Sequence, residues 1–395
     1  MGEVASQRVV VIGAGRVATH LAPALLRAGH KLQQVWSRTE DSARQLAEPW
    51  GISYTSDLAA VVTDADVYIF CVSDSALPEV AARLDIPREK FAFISGIGCS
   101  SRFVYYMNTY GFHSIHGRAA AISTGLKTAR PDLSVWVCSG DGDSLAIGGN
   151  HFIHACRRNI DLNLILFNNE IYGLTKGQYS PTSPKGFVSK SSPFGTVERP
   201  FIPAELVFGA RGTFFARTLD VDMLTTVDCM VQGHQHKGAS VIECLVNCVI
   251  FNNGTHSWIA DREMRAERSI VLKHGEKMIF GKEKDKGLAL DYSQGLIPQL
   301  IIVPADDPRV LTHDATMQDP TLHRMLAMMG QDIPASSPNS LIASSPQLPI
   351  ALGVIRNVEE ESYDMAVNQQ INEVREKSKA KTFDQLTATL EQWEI

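Results

Sequence analysis

Asp141 lies between two glycines in the run Gly140, Asp141, Gly142, Asp143, and about thirty residues further on come Asn168 and Asn169. Carboxylate and amide oxygens are hard donors of the kind that hold Mg²⁺, and glycines beside the carboxylate let the backbone approach a bulky anion. The set therefore suits a divalent cation bridging the protein to a diphosphate. An apolar run over residues 133–138 leads into the Gly/Asp loop, a helix-length segment follows, and a second apolar run over residues 162–167 ends at the asparagines. This is the pattern of a βαβ unit. Two parallel strands joined by a right-handed helical crossover bring their carboxyl ends side by side, where open α/β sheets bind ligands.

The GDG run, a spacer and NN resemble the thiamine diphosphate signature. The words around it resemble one family, the beta subunits of 2-oxoacid:ferredoxin oxidoreductases, the 2-oxoglutarate type in particular. They are ISGIGCSSR (94–102), GFHSIHGRA (111–119), GDGDSLAIGGNHFIHACRRN, LFNNEIYGLTKGQYSPTS and NCVIFN (247–252), and the resemblance runs from about residue 85 to residue 395. It implies a thiamine diphosphate-binding parallel-sheet domain with Mg²⁺ held by Asp141, Asn169 and the backbone carbonyl of Ile171. Gly140, Gly142 and Asp143 would line the diphosphate. It further implies oxidative decarboxylation of a 2-oxoacid to an acyl-CoA, with an alpha subunit completing the cofactor site, and with coenzyme A and ferredoxin as the other partners. His116, with Arg118, falls in a loop near the cofactor, or else on a solvated turn. Arg102 suits a substrate carboxylate or is a surface arginine, and Lys176 is a candidate for steering substrate or acceptor.

The family passes electrons through a [4Fe-4S] cluster held by four thiolates. Cys99 and Cys248 fall in two of its cysteine motifs, while the expected Cys-x-x-Cys pair is absent and only Cys71 precedes residue 85. Two thiolates are not expected to hold such a cluster.

Residues 8–84 carry a different α/β signal. A strand, then Gly13, Gly15 and Ala18 in G-x-G-x-x-A spacing, then a helix, form a dinucleotide fingerprint in its required context. The next strand ends at Ser37 and Arg38 rather than at an acid, which suits the extra phosphate of NADP. This piece resembles the Rossmann-like NADP-binding domain of pyrroline-carboxylate and F420-dependent reductases, truncated after four strands. It either binds NADP or is a remnant. The expected organisation is a truncated Rossmann-like module over 1–84, a thiamine diphosphate-binding domain over 85–330, and a linker with a C-terminal helical extension over 331–395. Near residue 85 one family's opening strands replace another's, as a seam inside a fold.

A net charge of −6 without a basic, aromatic-interleaved run argues against nucleic acid, and no apolar stretch reaches membrane-span length. A cytoplasmic protein is expected. Seven widely spread cysteines do not suggest a disulfide framework. His151 and His154 have ligand-like spacing but no third partner, and are expected to pack. The alternative function is a non-catalytic nucleotide- or thiamine diphosphate-binding fusion without electron transfer, or a join made in gene assembly.

Overall fold

A computed structural model describes residues 6–70 except 15, 38, 58, 59, 63 and 66, residues 86–330 except 108 and 294, and residues 348–377. The chain divides into two compact units, Met1–Ala82 with Tyr106–Asn108, and Arg83–Tyr105 with Thr109–Ile395.

In the first unit, β1 (Arg8–Ile12), β2 (Lys31–Trp36), β3 (Ser53–Thr55) and β4 (Val67–Phe70) form a parallel sheet in the order β3-β2-β1-β4. That is the order of the first four strands of a dinucleotide-binding fold. Gly13 follows β1 at φ 110°, a left-handed value that a side chain would resist, and its N–H donates to Trp36 O at 2.7 Å. The helix Arg16–Arg27 buries Ala18 and Ala22 against Val9, Val11 and Val35. Gly15, Arg38, Cys71 and the helix expected after β4 lie outside the described residues.

The second unit is built on an eight-stranded sheet in the order β13-β17-β11-β12-β8-β7-β5-β6. Its strands are β5 (Phe91–Ser95), β6 (Tyr110–His113), β7 (Ser134–Gly140), β8 (Leu162–Asn168), β11 (Phe214–Leu219), β12 (Ala239–Leu245), β13 (Ser269–Leu272) and β17 (Ile350–Asn357). From β6 to β11 every pairing is parallel; β17 joins β11 antiparallel. The central strands β7, β8, β12 and β11 are apolar runs buried almost throughout, as parallel strands covered on both faces must be. Helices Ala119–Ala129, Gly149–Arg157 and Met223–Gln235 pack on them. Two small sheets complete the unit: the ribbon β9 (Ile171–Tyr172) with β10 (Gln178–Tyr179), and β14 (Ile279–Phe280), β15 (Lys286–Asp291) and β16 (Gln299–Pro304).

β1–β4 form one sheet and β5 belongs to the eight-stranded one. One expectation is corrected. The stretch after residue 349 is not helical throughout. Ile350–Asn357 is a buried strand between β11 and β13, and the helix begins only at Tyr363. Its apolar run, IALGVIR, satisfies a strand covered on both faces, whereas helical periodicity belongs only to the polar segment that follows.

Candidate cofactor site

The sheet order brings the carboxyl ends of β5, β7, β8 and β12 to one edge, where a cavity of about 630 Å³ opens. Each strand end contributes: Ile97 to Ser100 after β5, Gly140 to Asp143 after β7, Asn169 and Ile171 after β8, and Val246 and Asn247 after β12. Asp141, Asn169 and Ile171, far apart in sequence, thus line one space.

Asp141 is buried, and its Oδ2 accepts hydrogen bonds from Ser180 Oγ at 2.5 Å and Thr182 Oγ1 at 2.6 Å. Burial raises its carboxyl above the usual range, against the effect of those hydroxyls. Nearby Glu170 is pushed up to about 7, chiefly by burial and also by Asp141 and Glu243, although Thr255 Oγ1 donates to it at 2.9 Å. Among the described residues no lysine or arginine lines the cavity and none forms an ion pair with Asp141. A diphosphate entering here meets carboxylate rather than guanidinium, so its charge has to be balanced by a cation that also satisfies Asp141. The donors available, one carboxylate, one amide and backbone oxygen, suit Mg²⁺.

Asp143 lines the cavity and also ties its loops together. Its Oδ1 accepts from the N–H of Ile97 at 3.0 Å, the N–H of Gly117 at 2.7 Å and His116 Nδ1 at 2.7 Å, while its Oδ2 accepts from Ser139 Oγ at 2.5 Å. It therefore clamps the GIGCSS and HSIHGR loops to the start of the crossover. Its own segment, Asp143–Ile147, is a π-helical turn closed by the Gly148 N–H on the Asp143 carbonyl, a local geometry common at functional sites. Gly142 admits the ring of Tyr172, whose hydroxyl donates to the Gly142 carbonyl at 2.8 Å; a Cβ on Gly142 would lie 2.3 Å from that ring. Burial and the two aspartates raise the Tyr172 phenol to about 12.

His116 lines the cavity, with its ring edge-on to Tyr172 at 6.0 Å. Arg118 Nη1 donates to the carbonyls of Gly117 and Ile147. Arg102 and Lys176 are exposed and line no part of the cavity. Arg102 closes the 3₁₀ turn Ser100–Arg102, at whose start Cys99 and Ser100 line the cavity, and Lys176 occupies a left-handed position, φ 78°, in the turn after Gly173. Cys99 and Cys248 do converge, since a Cβ placed on Gly173 would be 3.5 Å and 3.4 Å from their sulfurs. Burial and Cys248 raise the Cys99 thiol. No group of three or more candidate metal-ligating His, Cys, Asp or Glu occurs among the described residues. Two thiols do not fit a [4Fe-4S] cluster, which takes four.

Sequence reading missed Ser180, Thr182, Ser183 and Tyr172 as contributors, because hydroxyl residues are too common in loops to stand out. It also missed a buried relay beneath the site. Asn168 Nδ2 donates to Glu243 Oε1 at 2.8 Å, and Glu243 Oε2 accepts from Arg217 Nε at 2.7 Å. The available signal was a charge in the middle of each of two apolar strands, FFARTL and ASVIECL, at positions that pair in register.

This fold and site define a thiamine diphosphate enzyme of the parallel-sheet kind, joined to a Rossmann-like module. The family model described as "Thiamine pyrophosphate enzyme, C-terminal TPP binding domain" matches residues 96–244, and "NADP oxidoreductase coenzyme F420-dependent" matches residues 8–95. Subunit KorB of 2-oxoglutarate oxidoreductase from Mycobacterium tuberculosis is 45% identical over 300 residues, 75% of this chain and 74% of that one. The 2-oxoglutarate synthase subunit KorB of Methanothermobacter thermautotrophicus is 46% identical over 215 residues, 54% of this chain and 75% of its own. Among solved structures, the 2-oxoglutarate:ferredoxin oxidoreductase of Magnetococcus marinus, with 2-oxoglutarate, coenzyme A and succinyl-CoA bound, superposes with a TM-score of 0.59 at 26% identity, covering 80% of this chain and 88% of that chain. The chain belongs to the KorB family of oxidoreductase beta subunits.

Proposed function

We propose that the chain is the thiamine diphosphate-binding beta subunit of a 2-oxoacid:ferredoxin oxidoreductase acting on 2-oxoglutarate in the cytoplasm. The observation that carries this is the carboxylate-floored cavity: Asp141, Asn169 and Ile171 line one space into which no lysine or arginine reaches among the described residues. When bound, thiamine diphosphate supplies the carbon nucleophile for the ketone of a 2-oxoacid. The protein's part is to hold Mg²⁺ with Asp141, Asn169 and the Ile171 carbonyl, to receive the diphosphate against Gly140 and Gly142, and to keep His116 oriented through Asp143. An alpha subunit closes the site, and coenzyme A and ferredoxin are the further partners. Residues 8–84 are a candidate NADP-binding module through Gly13, Gly15, Ala18 and Arg38. Cys99 and Cys248 supply too few thiolates for a [4Fe-4S] cluster, which takes four. No helix of the described residues is long and apolar enough to cross a membrane.

The test is thermal. Thiamine diphosphate with Mg²⁺ at a hundredfold excess over Kd should stabilise the chain by about 2.7 kcal/mol, because the ligand binds only the native state. Asp141→Ala should abolish the shift in melting temperature. An equal shift in that variant would remove the metal-ligand assignment.

A further inference from the structure

We propose that Ser180, Thr182 and Ser183 are positioning residues for the divalent cation, tying the two strand-end segments that carry its oxygen donors into one unit. This rests on the cofactor reading above. The three residues lie just beyond the ribbon strand β10, whose pairing with β9 returns the chain to the cavity floor. Two of their hydroxyls converge on a single carboxylate oxygen, Asp141 Oδ2, from Ser180 at 2.5 Å and from Thr182 at 2.6 Å. The backbone N–H groups of Gly142 and Asp141 also bear on this carboxylate, and among the described residues Ser180 and Thr182 are the side chains that donate to it. Thr182 Oγ1 also lies 3.0 Å from Asn168 Oδ1, but a hydroxyl has one proton, and the shorter contact to the charged acceptor takes it. Thr182 thus fits between the Asp141 segment and the segment that continues into Asn169.

Ser183 holds that second segment. Glu170, between Asn169 and Ile171, has φ 55°, a left-handed value that is uncommon for a residue with a side chain. Ser183 Oγ donates to the Glu170 carbonyl at 2.5 Å and accepts from the Ser180 N–H at 2.8 Å. The turn that brings the Asn169 side chain and the Ile171 backbone to the cavity is therefore fastened to the same loop that fixes Asp141. All three residues are buried, with Ser180 at 2% exposure, Thr182 at 5% and Ser183 at 3%, so water does not replace these hydroxyls. Outer partners of metal-holding groups typically change metal affinity about 10 to 100-fold when removed.

The experiment measures thiamine diphosphate binding to the full chain by calorimetry across a Mg²⁺ titration, with the melting temperature of each unliganded variant as the control for folding. Thr182→Val keeps the shape and removes the hydroxyl; the Mg²⁺ concentration for half-maximal binding should rise about 10 to 100-fold. Thr182→Ser should return it to near the wild-type value, since the hydroxyl and not the methyl group carries the role. Wild-type Mg²⁺ dependence in Thr182→Val, or a Thr182→Ser variant as impaired as Thr182→Val, would overturn the proposal. If Thr182→Val does not fold, Ser180→Ala is read by the first criterion: a raised Mg²⁺ requirement supports the role and an unchanged one overturns it. Asp141→Ala separates the two levels of the argument. Loss of binding there with an unchanged Thr182→Val sinks only the positioning role, whereas unchanged binding in Asp141→Ala removes the metal-ligand assignment beneath it.

Discussion

At the scale of residues, the site depends on small side chains as much as on donors. A Cβ on Gly96 would lie 1.6 Å from Asp143 Oδ2, and a Cβ on Gly149 would meet nothing within 4 Å. Gly96→Ala must therefore displace the carboxylate that holds Ile97, Gly117, His116 and Ser139. Each hydrogen bond to a charged group contributes about 1.5 to 3 kcal/mol, so the loss should amount to several kcal/mol. Gly149→Ala lies in a helix and should be neutral or stabilising by up to about 1 kcal/mol. Urea unfolding of the two variants checks this; similar midpoints for both would contradict the Asp143 clamp.

At the scale of elements, β11 and β12 are locked by a charge pair where a purely apolar contact was available. Arg217 and Glu243 are partners in register, both buried, and Arg217 Nη1 also donates to the Ala327 carbonyl at 3.0 Å. Desolvating two charges offsets much of their attraction, so the pair itself adds little stability, yet removal of one partner strands the other. Arg217→Met should cost about 3 to 5 kcal/mol, and the double variant Arg217→Met, Glu243→Leu should recover most of it. The double variant should still bind cofactor more weakly, because Asn168 loses the acceptor of its amide. Chemical denaturation and cofactor titration separate the two effects. A double variant no more stable than Arg217→Met would mean that the pair is not the reason for the loss.

For the whole molecule, buried neutral histidines set the acid limit. His234 stacks on Trp136 with ring centroids 6.2 Å apart, and burial pushes it down to about 4; His236, His313 and His323 are lowered for the same cause. The folded form keeps these rings neutral while the unfolded chain protonates them below about 6.5. Their stabilising effect is therefore complete above about pH 6.5 and is lost as the pH falls, for His234 towards about 4. Unfolding midpoints measured from pH 7.5 down to pH 5 should decline in the wild type and decline less in His234→Phe, which keeps the stacking and cannot titrate. Carboxylates common to both proteins cancel in that comparison, and equal declines would exclude His234 as a contributor.

The βαβ unit, the strands 91–95 and 214–219, the four-stranded opening module and the meeting of Asp141 and Asn169 at neighbouring strand ends were legible in the chain. Period-two and unbroken apolar runs, glycine placement and motif spacing are local properties that a single segment carries whatever its neighbours. Other features could only be decided in three dimensions. Ile350–Asn357 has the apolar run of a covered strand, but its place between β11 and β13, antiparallel to one and parallel to the other, is settled only by those two edges. Asp143 clamps two loops as well as lining the cavity because its partners come from the turns after β5 and after β6. Arg102 and Lys176 carried promising side chains at promising positions in the text, and the turns that hold them leave both outside the cavity. The type and order of donors are written along the chain, but which way a side chain faces at a strand end depends on the strands placed beside it.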